Sequence, residues 1–275
     1  MVKKRARTLA AIPVALAALA SGCGGKSSSP PATSSRARPA TPRPHHRPTL
    51  RPHPKARPRP EPRRSRHVLV GQIPERLPTR RRVVALTFDA GANDAGAAKI
   101  FAALRAADAP ATFFITGRWA ELYPGWARRI AARYPIGNHT FDHRDLRTLT
   151  SAEVGQEIQK ARATIAHITR QRPAPLFRFP YGSSSPSTVG IANRLGYTAV
   201  GWTVDTLGWE GTSNGQTTRS IVAHALSHLQ PGEIILMHVG SNPTDRSTLD
   251  ADALPTIIRD IRRRGYIFVA LPGYL

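Results

Sequence analysis

From residue 82 onward, seven short β-branched or aromatic runs follow one another: RVVALTF, ATFFIT, PIGNH, LFRFP, TAVGWTV, EIILMH and YIFVAL. Segments with helical spacing separate most of them. The stretch 94–107 places Ile100, Ala103 and Leu104 on one stripe, and 217–229 and 252–264 are patterned similarly. Thr150, with Glu153 three residues on, forms a capping box that opens a helix running toward Thr169. Strands that are apolar throughout must be covered on both faces, and amphipathic helices in alternation with them supply the cover. The constraint is therefore a parallel sheet wrapped by helices. Seven such units in about 190 residues predict an α/β fold, a distorted and incomplete (β/α) barrel rather than an open sheet.

The N-terminal third cannot contribute to that core. Residues 1–82 carry 20 Lys and Arg against two acids, Glu61 and Glu75, whereas 83–275 carry 20 against 15. Of the net charge of +23, a share of +18 therefore lies ahead of the predicted fold. Between Gly24 and Arg80 stand 13 of the 25 prolines, which remove hydrogen-bond donors and fix φ. Residues 24–81 are thus expected to be a disordered, partly polyproline-II tether, ~50 residues reaching on the order of 150 Å when extended. Its arginines suit unspecific attraction to anionic wall polymers or lipid headgroups. Basic residues alternating with proline, with no aromatic stacking platform, argue against nucleic acid as a partner.

Residues 1–23 carry a targeting pattern. Lys3, Lys4, Arg5 and Arg7 precede an apolar stretch from Leu9 to Leu19, then Ala20-Ser21-Gly22 and Cys23, the only cysteine. The apolar run is short for a bilayer span. The arrangement resembles a bacterial lipoprotein signal in which Cys23 is acylated, although Ala20 stands where leucine is usual. The expected location is outside the cytoplasm, lipid-anchored to the cell membrane or, alternatively, secreted. No cysteine remains for a disulfide, so the fold must stand on its core.

In barrels of this kind, chemistry gathers at the C-terminal ends of the strands. There the polar residues fall. Asp89 ends the first apolar run, His139 and His143 follow the third, Arg178 to Gly182 close the fourth, Asp205 and Trp209 the fifth, and His238 the sixth. Two imidazoles suit zinc or a similar first-row metal, and need at least a third ligand. Such an ion polarises a carbonyl and lowers the pKa of a bound water toward ~7. A free carboxylate could take the water's proton, and His238, arriving from the opposite wall, could protonate a departing amine or alcohol. Arg178 would hold the base charged and oriented, and the backbone N–H of Tyr181 could stabilise an oxyanion. Trp209 and Leu236 would form an apolar wall suited to an acyl methyl.

These blocks resemble, in order, the polysaccharide deacetylases of the NodB-homology type (carbohydrate esterase family 4), over about 82–271. TFDAG stands for T-F-D-D-G, HTFDH for H-[ST]-x-x-H, RFPYG for R-x-P-[YF]-G, DTLGW for D-x-x-D-W, and LMH for L-x-H. The resemblance implies Asp89 as base, His139 and His143 as metal ligands, Arg178 as the residue steadying the base, Tyr181 as oxyanion donor and His238 as acid. It implies removal of acetyl groups from an N-acetylated glycan or acetylated xylan, with peptidoglycan the expected substrate of a wall-reaching protein.

Two carboxylates of that pattern are missing. Ala90 replaces a metal-binding aspartate, and Gly208 an aspartate that supports the acid histidine. Asp94, or else Asn93, is the candidate to fold back as ligand through the small residues GANDAG, against the plainer role of capping the next helix. Asp142 is a third candidate ligand, and Asp205 the candidate behind His238. His167, His224 and His228 are expected to be surface or satisfied histidines, Trp119 and Trp126 packing or rim residues, and Arg262 to Arg264 a helix end. Asp245, Asp250 and Asp252 follow His238 in a polar loop and could line the cleft, with Asp252 equally suited to a helix cap. A catalytically silent, carbohydrate-binding lipoprotein is the competing function, and a hydrolase of another amide or ester a third.

Overall fold

The computed structural model describes residues 68–275. The signal-like segment, Cys23 and most of the proline-rich stretch lie outside them. Eight strands and seven α-helices follow in order: β1 (Val83–Ala90), α1 (Ala97–Ala106), β2 (Ala111–Ile115), α2 (Gly117–Leu122), α3 (Pro124–Ala131), β3 (Ile136–Asn138), α4 (Ser151–Thr169), β4 (Leu176–Phe177), α5 (Pro186–Arg194), β5 (Thr198–Ala199), β6 (Val204–Asp205), α6 (Thr218–Leu226), β7 (Glu233–His238), α7 (Leu249–Arg263) and β8 (Ile267–Phe268). The predicted capping box opens α4, with the Thr150 and Glu153 side chains each bonded to the other's backbone.

The strand order is β5-β4-β3-β2-β1-β7-β6, with β8 paired to β1, and the strands pair in parallel. One expectation changes here. The run TAVGWTV forms two strands, and they sit at opposite margins of the sheet. The residues 200–203 that join them can reach at most ~18 Å. Seven flat strands at ~4.8 Å spacing would hold the margins ~29 Å apart. The sheet must therefore curl at least into a half-barrel, the incomplete (β/α) barrel that the sequence predicts.

Strand pleating sorts the core. On β1, Val83 and Ala85 face the barrel interior with Leu176, Val200 and Ile234. Leu86, Phe88 and Ala90 join the larger cluster under the helices, with Ile100, Leu104, Leu254, Ile257 and Ile261. Thr87 and Asp89 continue the inward row, so the pleat itself delivers a carboxylate to the barrel rim.

Residues 68–81, which composition joins to the tether, lie against the fold. The Leu77 side chain is 2% exposed, and its N–H donates to the Gly232 carbonyl at 2.8 Å. Arg76 bridges Glu233 in antiparallel fashion, Gly201 N–H donates to Pro74 O, and Leu69 N–H donates to Thr198 Oγ1. Leu77→Ala should therefore cost about 2–4 kcal/mol in urea unfolding. A cost within about 0.5 kcal/mol would instead mark the segment as a passive linker.

Candidate active site

Arg178 is fully buried and reaches across the barrel interior. Its Nη1 donates to Asp89 Oδ1 and to Thr87 Oγ1, each at 2.9 Å, and its Nη2 to the Gly201 carbonyl at 3.0 Å. The guanidinium lies 4.2 Å from the centre of the Phe114 ring. Burial on its own would raise the Asp89 carboxyl, but the charges of Arg178, His139 and His238 outweigh it and hold the group below the usual carboxylate range. Asp89 is thus kept ionised in a buried place. The Arg178 backbone carbonyl takes a further part, accepting from His139 Nδ1 at 2.8 Å. A carbonyl only accepts, so Nδ1 carries the proton, and Nε2, 3.5 Å from Asp89 Oδ2, presents its lone pair.

HTFDH forms a loop. Thr140 and His143 adopt left-handed backbone conformations, with φ of 66° and 59°, which needs outside support in residues with a Cβ. Glu157 of α4 supplies it: its Oε2 accepts the N–H groups of Phe141 at 3.0 Å and Asp142 at 2.9 Å. Asn138 adds bonds to Thr140 N–H, Ile158 O and Tyr197 Oη. The two histidine rings meet edge to face at 4.8 Å, and His143 meets Tyr181 at 4.7 Å. Tyr181, 72% exposed, stands at the rim. Glu157 had a visible signal, a carboxylate on the stripe Val154, Ile158, Ala161, Ile165 that α4 buries.

His238 comes from the strand beside Asp89 and not from the far wall: β7 pairs with β1, and the two residues are register partners. Leu236 lies on the same face, opposite Thr87. Behind His238 stands Asp250, from the first turn of α7. Its Oδ2 accepts the His238 backbone N–H at 2.7 Å and lies 3.4 Å from His238 Nδ1. Burial would push the imidazole down, but the carboxylates of Asp250, Asp89 and Asp205 hold it above its ordinary value. Asp205 is engaged elsewhere, accepting from Leu207 N–H at 2.9 Å and Trp209 Nε1 at 3.3 Å. Trp209 remains half exposed, its ring 6.5 Å from that of His238.

Neither suggested role of Asp94 is taken up. Helix α1 begins without a side-chain cap. Among the described residues, no three His, Cys, Asp or Glu side chains gather in a metal-holding geometry. Gly91 packs beside the His143 ring, but the loop from Asn93 to Gly96 is tied to the segment after β7. Asn93 bonds Ser241 through both amide atoms, Trp119 Nε1 donates to Asn93 O, and Gly96 N–H donates to Val239 O. Asp142 turns outward to Arg118 at 2.6 Å. Ala90 is a buried methyl among core side chains. Among the described residues the donor set thus offers a first-row divalent ion two imidazole nitrogens, one ligand short of the three that such a site ordinarily has. The plainer expectations meet contacts of their own: Trp119 is fully buried, His224 Nδ1 bonds the Thr206 carbonyl, Asp252 pairs with Lys99, and Asp245 accepts from Thr212, Ser213 and Ser247.

Burial, with His139 adding to it, brings His143 down to about 4. Its folded form binds a proton less readily than the unfolded chain, so the unfolded state takes up more protons between pH ~6.5 and ~4. Stability of the metal-free protein should fall as pH drops through that window, by on the order of 3 kcal/mol from this residue. Urea unfolding across pH checks it. His143→Gln should flatten the dependence, and an unchanged slope would contradict the assignment.

The family described as "Polysaccharide deacetylase" matches residues 76–200. A chitooligosaccharide deacetylase of Azorhizobium caulinodans is 32% identical over 196 residues, spanning 68% of this chain and 91% of the relative. A peptidoglycan-N-acetylglucosamine deacetylase of Bacillus cereus is 33% identical over 71% of this chain and 69% of its own. Among solved structures, one described as a carbohydrate esterase family 4 pseudoenzyme from Bacillus anthracis superposes with a TM-score of 0.64 at 27% identity, over 70% of this chain and 65% of the other. Fold, ordered motifs and these likenesses agree: the chain belongs to the polysaccharide deacetylase family.

Proposed function

We propose that this protein is a metal-dependent deacetylase outside the cytoplasm that removes acetyl groups from an N-acetylated glycan, peptidoglycan being the substrate that suits it best. One observation carries the reading. On adjacent strands, a buried carboxylate whose neighbours pull its pKa down stands beside an imidazole whose neighbouring carboxylates pull its pKa up, which is the division of labour that acid–base hydrolysis needs.

His139 and His143 would hold the ion, zinc being the first choice for two imidazoles, and it would supply polarisation of the acetyl carbonyl and acidification of a water. Asp89 takes a proton from the attacking water, whose oxygen adds to the acetyl carbon. Arg178 keeps the carboxylate charged and fixed in direction. The backbone N–H of Tyr181 steadies the oxyanion. His238 then delivers a proton to the glycan nitrogen as the C–N bond breaks, releasing acetate and a free amine. Trp209 and Leu236 wall the acetyl methyl. A lipid anchor at Cys23 and a basic tether would bring this cleft to wall glycan and anionic polymers, and give the tail no role with nucleic acid.

A second reading has its own support. Among the described residues the metal set lacks a third protein ligand, and one structural relative is described as a pseudoenzyme. A glycan-binding, catalytically silent protein would bind oligosaccharide without stoichiometric zinc. The proposal predicts acetate release from N-acetylglucosamine oligomers or wall glycan by metal-replete protein. Chelation should abolish it, and Asp89→Asn should lower it by about 10²–10⁴-fold. Glycan binding with no acetate from any acetylated glycan would favour the silent reading.

A further inference from the structure

His238 Nδ1 is buried and has no hydrogen-bond partner. The Asp250 carboxylate faces it at 3.4 Å, itself only 3% exposed. That carboxylate is fixed on both oxygens: Oδ2 accepts the His238 N–H at 2.7 Å, and the Thr206 hydroxyl lies 2.5 Å from Oδ1. Its place in the fold depends on Gly208. A Cβ at position 208 would fall 2.3 to 2.7 Å from the three carboxyl atoms of Asp250, a distance no side chain tolerates. The volume that a residue at 208 would fill is occupied by a carboxylate arriving from α7.

We infer that Asp250 is the positioning residue for the His238 acid, and that Gly208 is the space that admits it. The inference rests on the deacetylase reading for what His238 does, but not for where its ring is held. Asp250 directs Nδ1–H toward itself, fixing the tautomer and ring plane, and leaves Nε2 to carry the proton that is delivered. The closing of a 3.4 Å gap into a hydrogen bond is the change expected when substrate fills the cleft. Asp205, the nearer residue in sequence to Trp209, braces the tryptophan loop instead.

The test is Asp250→Asn, which keeps the shape and removes the charge. With metal-replete enzyme and an N-acetylglucosamine oligomer, kcat should fall about 10–100-fold with KM within about twofold. The alkaline limb of the kcat profile should move to lower pH, because the acid loses the charge that holds its proton. Gly208→Ala should act likewise by evicting the carboxylate. Asp250→Ala combined with Gly208→Asp should recover activity over Asp250→Ala alone, which separates charge placement from mere folding damage. A folded Asp250→Asn protein with wild-type kcat and pH profile overturns the inference, as does a carboxylate at 208 that rescues nothing. If the wild-type protein deacetylates nothing, the NMR titration of the His238 ring decides: a lower midpoint in Asp250→Asn supports the contact, and an unmoved one overturns it.

Discussion

The contact between Arg178 and Asp89 is the interaction on which the rest depends. A guanidinium without access to water needs its donors satisfied, and here they are met by β1, through Thr87 and Asp89, and by the connection between the two sheet margins, through Gly201. Phe114 of β2 covers its face. The same residue's carbonyl sets the tautomer of His139. One side chain and one peptide unit thus tie the barrel's curvature, the charge of Asp89 and the orientation of the His139 imidazole together. A buried ion pair of this kind adds little net stability compared with an apolar replacement, yet losing one partner leaves an uncompensated charge. Its value lies in fixing geometry.

The fold and the rim of the cleft were largely legible in the sequence. Uninterrupted apolar strands alternating with amphipathic helices admit few arrangements, and parallel strands bring all their C-terminal ends to one side. Asp89, His139, His143, Arg178, Tyr181, Trp209, Leu236 and His238 could be assembled on that ground before any coordinates. The TAVGWTV run hid a break because its alternation persists across the turn. Its division depends on Gly201, whose missing side chain gives room to Glu75, and on a segment that composition had assigned to the tether.

What sequence could not supply were contacts set by how helices rotate against the sheet. Glu157 and Asp250 reach the site from α4 and α7 because those helices turn one polar residue inward, and nothing in linear spacing links them to 141 or 238. Strand order was equally hidden, so His238 arrives from the neighbouring strand. The loop after Asp89 shows the limit of reasoning from permissive residues. GANDAG allows Asp94 to fold toward the histidines, but hydrogen bonds to Val239 and Ser241 hold Gly96 and Asn93 to the segment after β7. A carboxylate lost from one position was replaced at Gly208 by one from elsewhere in the chain. At Ala90, among the described residues, it was not.

The segment ahead of β1 has a bearing on access. Its contacts are with Thr198 and Gly232, where β5 and β7 begin, and with Gly201 and Thr203 between β5 and β6, while Asp89 and His238 stand where β1 and β7 finish. The polypeptide therefore enters through the floor of the barrel and the cleft opens at its roof. Residues 68–82 thus leave the rim around Asp89 and His238 clear, so that an extended chain laid across it meets no part of this segment.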